Sequence, residues 1–168
     1  ASSNRVIKVL TRKENRVSCA GAIPVIGDLT DPDSLIEAVK GIQSIIHLAA
    51  VTHTRERRHY WRINASGTGN LIKAAQTAGV RRFIFASTRA IDPRGGAYSQ
   101  SKLAAEEMIR ASGIPWIILR IGELYGNTSG GMIHQLIRVV KKSPLVPVIA
   151  SKNCRLAPVH IKDVVGAF

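Results

Sequence analysis

Short apolar runs alternate with helix-forming stretches along almost all of this 168-residue chain. Residues 6–10 and 23–26 read as strands. Residues 31–39 read as a helix, capped by Asp31 or Asp33, with Pro32 in its first turn. Ser44-Ile-Ile-His-Leu-Ala-Ala50 is a continuous apolar run, the pattern of a parallel strand buried on both faces. A long helix over 60–78 ends at Gly79, and 83–87 is the next strand. A helix over 98–112 ends at Gly113, and a strand over 116–120 follows Pro115. Residues 132–142 read as a helix stopping before Pro144, 146–149 as a strand, and 160–168 as the start of a further helix. Strands separated by helices of about ten residues or more predict a βαβ series in an α/β fold. Right-handed crossovers make that a doubly wound, mostly parallel sheet with helices on both faces. Ligands of such sheets bind at the carboxyl ends of the strands.

The pattern that carries chemistry is Tyr98-Ser-Gln-Ser-Lys102, at the head of the predicted 98–112 helix. Residues four apart share a helix face, so the phenol and the ammonium are neighbours. A nearby cation favours the phenolate and is expected to draw the Tyr98 pKa down towards the working pH. A phenol so tuned is a general acid/base for a carbonyl or carbinol oxygen. Taken alone, the spacing also suits an ordinary amphipathic helix. Ser87 and Thr88 lie upstream, at the end of the 83–87 strand, where a hydroxyl could orient the same oxygen.

The net charge is +13, with cations concentrated at 5–16, 55–62, 81–82 and 141–155. Such a balance suits anionic partners: a phosphorylated cofactor, nucleic acid or an anionic membrane surface. It equally suits a solvated basic face. Aromatic residues make up 5% of the chain, too few for a base-stacking platform, so nucleic acid ranks last. No apolar run reaches the roughly 20 residues of a membrane span. Cys19 and Cys154 are isolated and read as free thiols of a reducing compartment, a disulfide between them being the alternative. The expected location is cytoplasmic, with an organellar stroma or matrix as the variant. No His/Cys cluster or carboxylate pair suggests a metal. His47 lies in an apolar strand and reads as a satisfied core histidine; His53 and His59 read as surface.

Seven segments together resemble the short-chain dehydrogenase/reductase superfamily, in its extended or atypical epimerase/dehydratase branch. They are Gly27-Asp-Leu-Thr-Asp31, His47-Leu-Ala-Ala50, Asn64-Ala-Ser-Gly-Thr-Gly-Asn70, Arg82-Phe-Ile-Phe-Ala-Ser-Thr88, Tyr98 to Lys102, Leu119-Arg-Ile-Gly-Glu-Leu-Tyr-Gly126 and Pro158-Val-His-Ile-Lys-Asp163. They occur in the family's order and span almost the whole chain. The short interval from Thr88 to Tyr98 is most similar to atypical members, among them proteins resembling the 39-kDa subunit of respiratory complex I. The resemblance implies a Rossmann-like NAD(P)-binding domain over 1–168, its substrate-binding part starting near 130–168. Members open with a strand, a G-x-x-G-x-x-G turn and a helix. That first βα unit is missing here, and Gly67, Gly69, Gly95, Gly96, Gly122 and Gly126 do not replace it. The expectation is therefore an internal fragment of a longer protein, incomplete at both ends.

The resemblance also assigns roles. Tyr98 would be the acid/base, and Lys102 its partner and a contact of the cofactor ribose. Thr88 would orient the substrate oxygen, with Ser87 as substitute. Asp28 would meet the adenine amino group, Leu29 would flank the ring, and Ala49 and Ala50 would let the dinucleotide approach the backbone. Asn64 resembles the family's structural asparagine facing the site. Arg12 and Lys13 follow the first strand, where the adenosine ribose lies. Cations there pair with a 2′-phosphate, which favours NADP over NAD. Asp163 would cap or brace the last helix. The expected function is an NAD(P)-dependent oxidoreductase, epimerase or dehydratase. Its small-molecule substrate would be a nucleotide sugar or related carbonyl or hydroxyl compound, with Arg89 and Arg120 suiting phosphate groups. A non-catalytic dinucleotide-binding subunit or assembly factor ranks second, in a homo-oligomer or larger complex. An RNA-binding epimerase-like protein ranks third.

Overall fold

The computed structural model describes residues 6–13, 21–126, 131–142 and 156–168. Among them the strands form three parallel sheets. Strand β1 (Ile7–Thr11) pairs with β2 (Ala22–Ile26). Strand β4 (Arg82–Thr88) lies between β3 (Ser44–His47) and β5 (Trp116–Ile121). Strand β6 (Leu124–Tyr125) pairs with β7 (Val159–His160). The helices are α1 (Pro32–Val39), α2 (Arg57–Tyr60), α3 (Gly67–Thr77), α4 (Ala97–Arg110), α5 (Met132–Lys142) and α6 (Ile161–Ala167). A π-helical stretch, Trp61–Ser66, joins α2 to α3. No helix of the described residues is long and apolar enough to cross a membrane.

The α/β alternation is as the sequence predicts, with local differences. The strand expected over 44–50 stops at His47, and Leu48, Ala49 and Ala50 leave the ladder. The helix expected from Tyr60 starts at Arg57 and carries the π-helical stretch within it. The β6–β7 pair, two residues a side, is too short to leave a period in the sequence. His160 caps α6, its Nδ1 accepting from the Lys162 amide at 3.2 Å, and Asp163 sits in the first turn, where negative charge suits the helix dipole. The strand expected at 146–149, and Cys19 and Cys154, lie outside the described residues.

One core forms where α3 and α4 cover the β3–β4–β5 sheet. Leu71, Ile72 and Ala75 of α3 and Ala105 and Ile109 of α4 bury against Phe83 and Phe85 of β4. Truncating either phenylalanine would cost about 3–5 kcal/mol. Helix α3 approaches the loop after β2 through Gly67, where a Cβ would stand 2.8 Å from that of Leu29. The other edges of β1 and β3 pair with no strand among the described residues. Ile7, Leu10, Ile46 and Leu48 on these two segments are 36–62% exposed.

His47 is the satisfied core histidine that its apolar strand predicts. The Thr68 hydroxyl donates to the Asn64 carbonyl (2.6 Å), so Thr68 Oγ1 accepts from His47 Nε2 (2.9 Å). The imidazole stacks on Phe85 with centroids 5.3 Å apart. Burial, reinforced by the Lys102 ammonium, lowers its pKa from 6.5 to about 3. The unfolded chain therefore binds the extra proton between those values. This contribution to stability is complete above pH 6.5 and is lost as pH falls towards 3. We predict that the unfolding free energy drops by up to about 1.4 kcal/mol per pH unit through this window. His47→Gln keeps a donor for Thr68 but does not titrate, and urea melts from pH 6.5 to 4.5 should give a flatter profile for it.

Candidate active site

The carboxyl ends of β1, β2 and β3 open on a cleft of about 620 Å³. Its lining brings together Arg12, Lys13, Asp28, Leu29, Ala49 and Ala50, all expected to hold a cofactor, with Gly27, Val51 and Ile63 beside them. Arg12 and Lys13 are exposed at a turn that Thr11 orders, its hydroxyl donating to the Lys13 carbonyl at 2.9 Å. Asp28 Oδ1 accepts from the Thr30 amide (2.8 Å) and the Thr30 hydroxyl (2.9 Å). The Thr30 amide bond holds the Asp28 carboxyl below its usual range, against some desolvation, with help from the Thr30 hydroxyl and the charges of Arg12 and Arg62. Asp28 thus also has the local turn role, although Asp31 caps α1 through Ser34 N.

Asn64, expected as a structural asparagine on the helix facing the site, clamps backbone. It is 1% exposed. Its Oδ1 accepts from Val51 N (2.8 Å), and its Nδ2 donates to Val51 O (3.0 Å) and to Ser101 Oγ (3.2 Å). Ser101 Oγ donates onward to the Tyr98 carbonyl at 2.8 Å. The loop after β3 is thereby tied to the first turns of α4. Tyr60, which the sequence reading missed, makes a parallel tie. Its phenol oxygen accepts from Thr54 N at 3.1 Å, and its ring meets Tyr98 edge-on at 5.8 Å. Its only sequence signal was a half-apolar Tyr among arginines.

Thr88 ends β4 and Tyr98 opens α4, both half-buried. The expectation for the Tyr98 phenol is corrected: its pKa is raised, not lowered. Burial dominates, the Thr88 side chain offsets part of the rise, and Tyr60 adds to it. The Lys102 Nζ donates to the Ala86 carbonyl (2.7 Å), 3.9 Å from the Phe85 ring centroid. Lys102 is 2% exposed, and burial lowers its pKa to about 8 against the opposing pull of Glu106. Ser87 is not free to substitute for Thr88, since its hydroxyl donates to the buried Glu106 at 2.6 Å. Arg120 also binds Glu106, through Nε at 3.0 Å and Nη2 at 2.8 Å, rather than standing free for a substrate phosphate. A second cavity, of about 360 Å³, lies beyond β5. Arg89 and Arg120 are its charged lining residues, and Leu119, Ile121, Pro158, Val159 and Val164 make it mostly apolar.

A family model described as "NAD dependent epimerase/dehydratase family" matches residues 2–168. The chain belongs to the NAD-dependent epimerase/dehydratase family. A ceramide reductase of Caulobacter vibrioides is 32% identical over 139 residues, which are 83% of this chain and 43% of the relative. A 3 beta-hydroxysteroid dehydrogenase/Delta 5-->4-isomerase of Mycobacterium tuberculosis is 28% identical over 171 residues, covering 84% of this chain and 46% of the relative. The chain thus spans about half the length of these curated relatives. The crystallised MoeE5, in complex with UDP-glucuronic acid and NAD, superposes with a TM-score of 0.77 at 27% identity, over 97% of this chain and 62% of its own. The Rossmann-like fold expected from the sequence is the fold this chain shares with that neighbour.

The residues present fit the adenosine end of a dinucleotide. Small side chains floor the cleft, Asp28 borders it, and Arg12 and Lys13 give its rim positive charge. Two measurements test the geometry. In the cofactor-free protein, ultraviolet titration at the tyrosinate band should show a step above the ordinary phenol range, and Tyr98→Phe should remove that step. Asn64→Ala strips both backbone partners from Val51. It should cost about 1–3 kcal/mol in denaturant melts and speed amide exchange at Val51.

Proposed function

We propose that this chain forms the dinucleotide-binding and catalytic part of an NAD(P)-dependent enzyme acting at a hydroxyl or carbonyl carbon. The observation that carries this reading is the continuity between cleft and hydroxyl site. Asn64 and Tyr60 join the loop bordering the cleft directly to Ser101 and Tyr98. In this reading Tyr98 holds and transfers the proton at the substrate oxygen. Its raised pKa keeps it a proton donor at neutral pH, which suits reduction of a carbonyl. Thr88 orients the same oxygen, and Lys102 brings positive charge one turn along α4. A bound nicotinamide would supply or accept the hydride. Arg12 and Lys13 support NADP over NAD, by pairing with a 2′-phosphate at the mouth of the cleft.

Two substrate classes follow. A nucleotide sugar is supported by the likeness to MoeE5. A lipophilic alcohol or ketone is supported by the apolar cavity beyond β5, by the engagement of Arg120 with Glu106, and by the names of the ceramide and steroid relatives. We further propose that a strand of the same polypeptide lies between β1 and β3, pairs with both free edges and carries the phosphate-binding turn. The exposed Ile7, Leu10, Ile46 and Leu48 are the residues it would cover. Among the described residues no strand–glycine-rich turn–helix unit stands there.

The test uses the protein as natively expressed, with NADPH or NADH and both substrate classes. We expect turnover with one class, and a kcat loss of about a hundredfold or more for Tyr98→Phe. Arg12→Ala with Lys13→Ala should weaken NADPH binding about tenfold and leave NADH within about twofold. Tight dinucleotide binding with no turnover of either class would favour the non-catalytic subunit instead.

A further inference from the structure

Glu106 carries the inference. It is 0% exposed, and every hydrogen bond it makes is charge-assisted. Ser87 Oγ (2.6 Å) and Arg120 Nε (3.0 Å) donate to Oε1; Arg120 Nη2 (2.8 Å) and Arg110 Nη2 (2.7 Å) donate to Oε2. Burial alone would raise this carboxyl, but the bonds from Arg120, Ser87 and Arg110 outweigh it and bring the pKa to about 2. The carboxylate is therefore a fixed anion inside the fold.

Its placement gives that anion a task. Ser87 and Arg120 lie opposite one another in the β4–β5 ladder, one row before the Thr88–Ile121 pair. Three successive residues of β4 meet three successive turns of α4: Thr88 faces Tyr98, the Ala86 carbonyl holds Lys102, and Ser87 holds Glu106. Tyr98, Lys102 and Glu106 are four residues apart in turn and share one helix face. A slip of α4 along β4 would break the Glu106 contacts and carry Tyr98 away from Thr88. A displacement of about 1 Å at reacting atoms can cost about a hundredfold in rate.

We propose that Glu106 is a positioning residue of the site, whose buried carboxylate locks the register of α4 against β4 and β5 and so places Tyr98 and Lys102 relative to Thr88. This rests on the acid/base reading of Tyr98 given above. Lys102 senses the Glu106 charge, a readout independent of turnover. The titratable groups whose charge couples to it are His47 from β3, which is neutral, and Glu106 from its own helix. Removing the Glu106 charge therefore leaves the ammonium without its anion, and its pKa falls further.

The experiment compares wild type and Glu106→Gln as the natively expressed protein, with lysine labelled at Cε. It reads the melting temperature, the Lys102 titration by NMR and the pH profile of kcat. The expected result is a cooperatively folded variant whose Lys102 midpoint falls by about one pH unit. Its kcat should drop about tenfold, with KM within about threefold and the alkaline limb moved to lower pH. A variant with a lowered melting temperature but an unmoved Lys102 titration and an unchanged pH profile would overturn the proposal and leave Glu106 a structural ion pair. Should Glu106→Gln not fold, Ser87→Ala decides, since it leaves both arginines on the carboxylate. A kcat loss of about threefold or more at constant KM supports the lock, and wild-type kcat overturns it. Failure of the functional reading looks different: wild type then leaves NADPH fluorescence unchanged, while the Lys102 titration still tests the lock.

Discussion

Burying α4 against β4 is the contact from which the rest of the site follows. Ala105 and Ile109 make the apolar half of that contact, with Phe83 and Phe85 across from them. The same helix face also takes Lys102 and Glu106 out of water, and burying charges is unfavourable unless each finds a partner. Both do, the ammonium on a strand carbonyl and the carboxylate on Ser87 and two arginines. Apolar packing holds the helix down, and the polar pairs allow only one register. Tyr98 inherits its position from residues one and two turns away.

Much of this fold could be read from the residues. The alternation of strands and helices, the Pro32 and Asp31 start of α1, and the left-handed glycines at 79 and 113 all act locally, so local sequence displays them. The six residues that line the cleft past strand ends could be placed there for the same reason, each sitting just beyond a strand. Glu106 could not, because a helical glutamate reads by default as a solvated one. The signal was indirect. Arg120 interrupts the apolar strand Trp116-Ile-Ile-Leu-Arg-Ile121, and an arginine in such a strand needs an anion from somewhere. The raised pKa of Tyr98 was equally hidden, since spacing places Lys102 one turn away but says nothing of which acceptor its ammonium will choose.

The positive charge of the chain resolves into distinct uses once it is mapped. Arg110 and Arg120 neutralise Glu106, and Arg110 also lies 5.7 Å from the Trp116 ring. Arg12 and Lys13 line the cleft. Arg62 reaches Thr30 at 3.5 Å and adds its field at Asp28. Net charge alone separates none of these roles, because it counts a cation paired with Glu106 and a cation lining the cleft alike.

The π-helical stretch has a consequence for how the site could vary. A π turn holds one residue more than an α turn, and the surplus sets the angle at which Tyr60 and Asn64 leave the helix. Substitutions within Trp61–Ser66 would change side chains but leave that angle in place. Loss of a single codon there would restore an ordinary helix and swing everything before it by about a quarter-turn or slightly more. The alignment of cleft and phenol is thus encoded in the length of this segment as much as in its residues. Insertions and deletions, rather than point changes, are the natural route by which such a scaffold would be re-aimed.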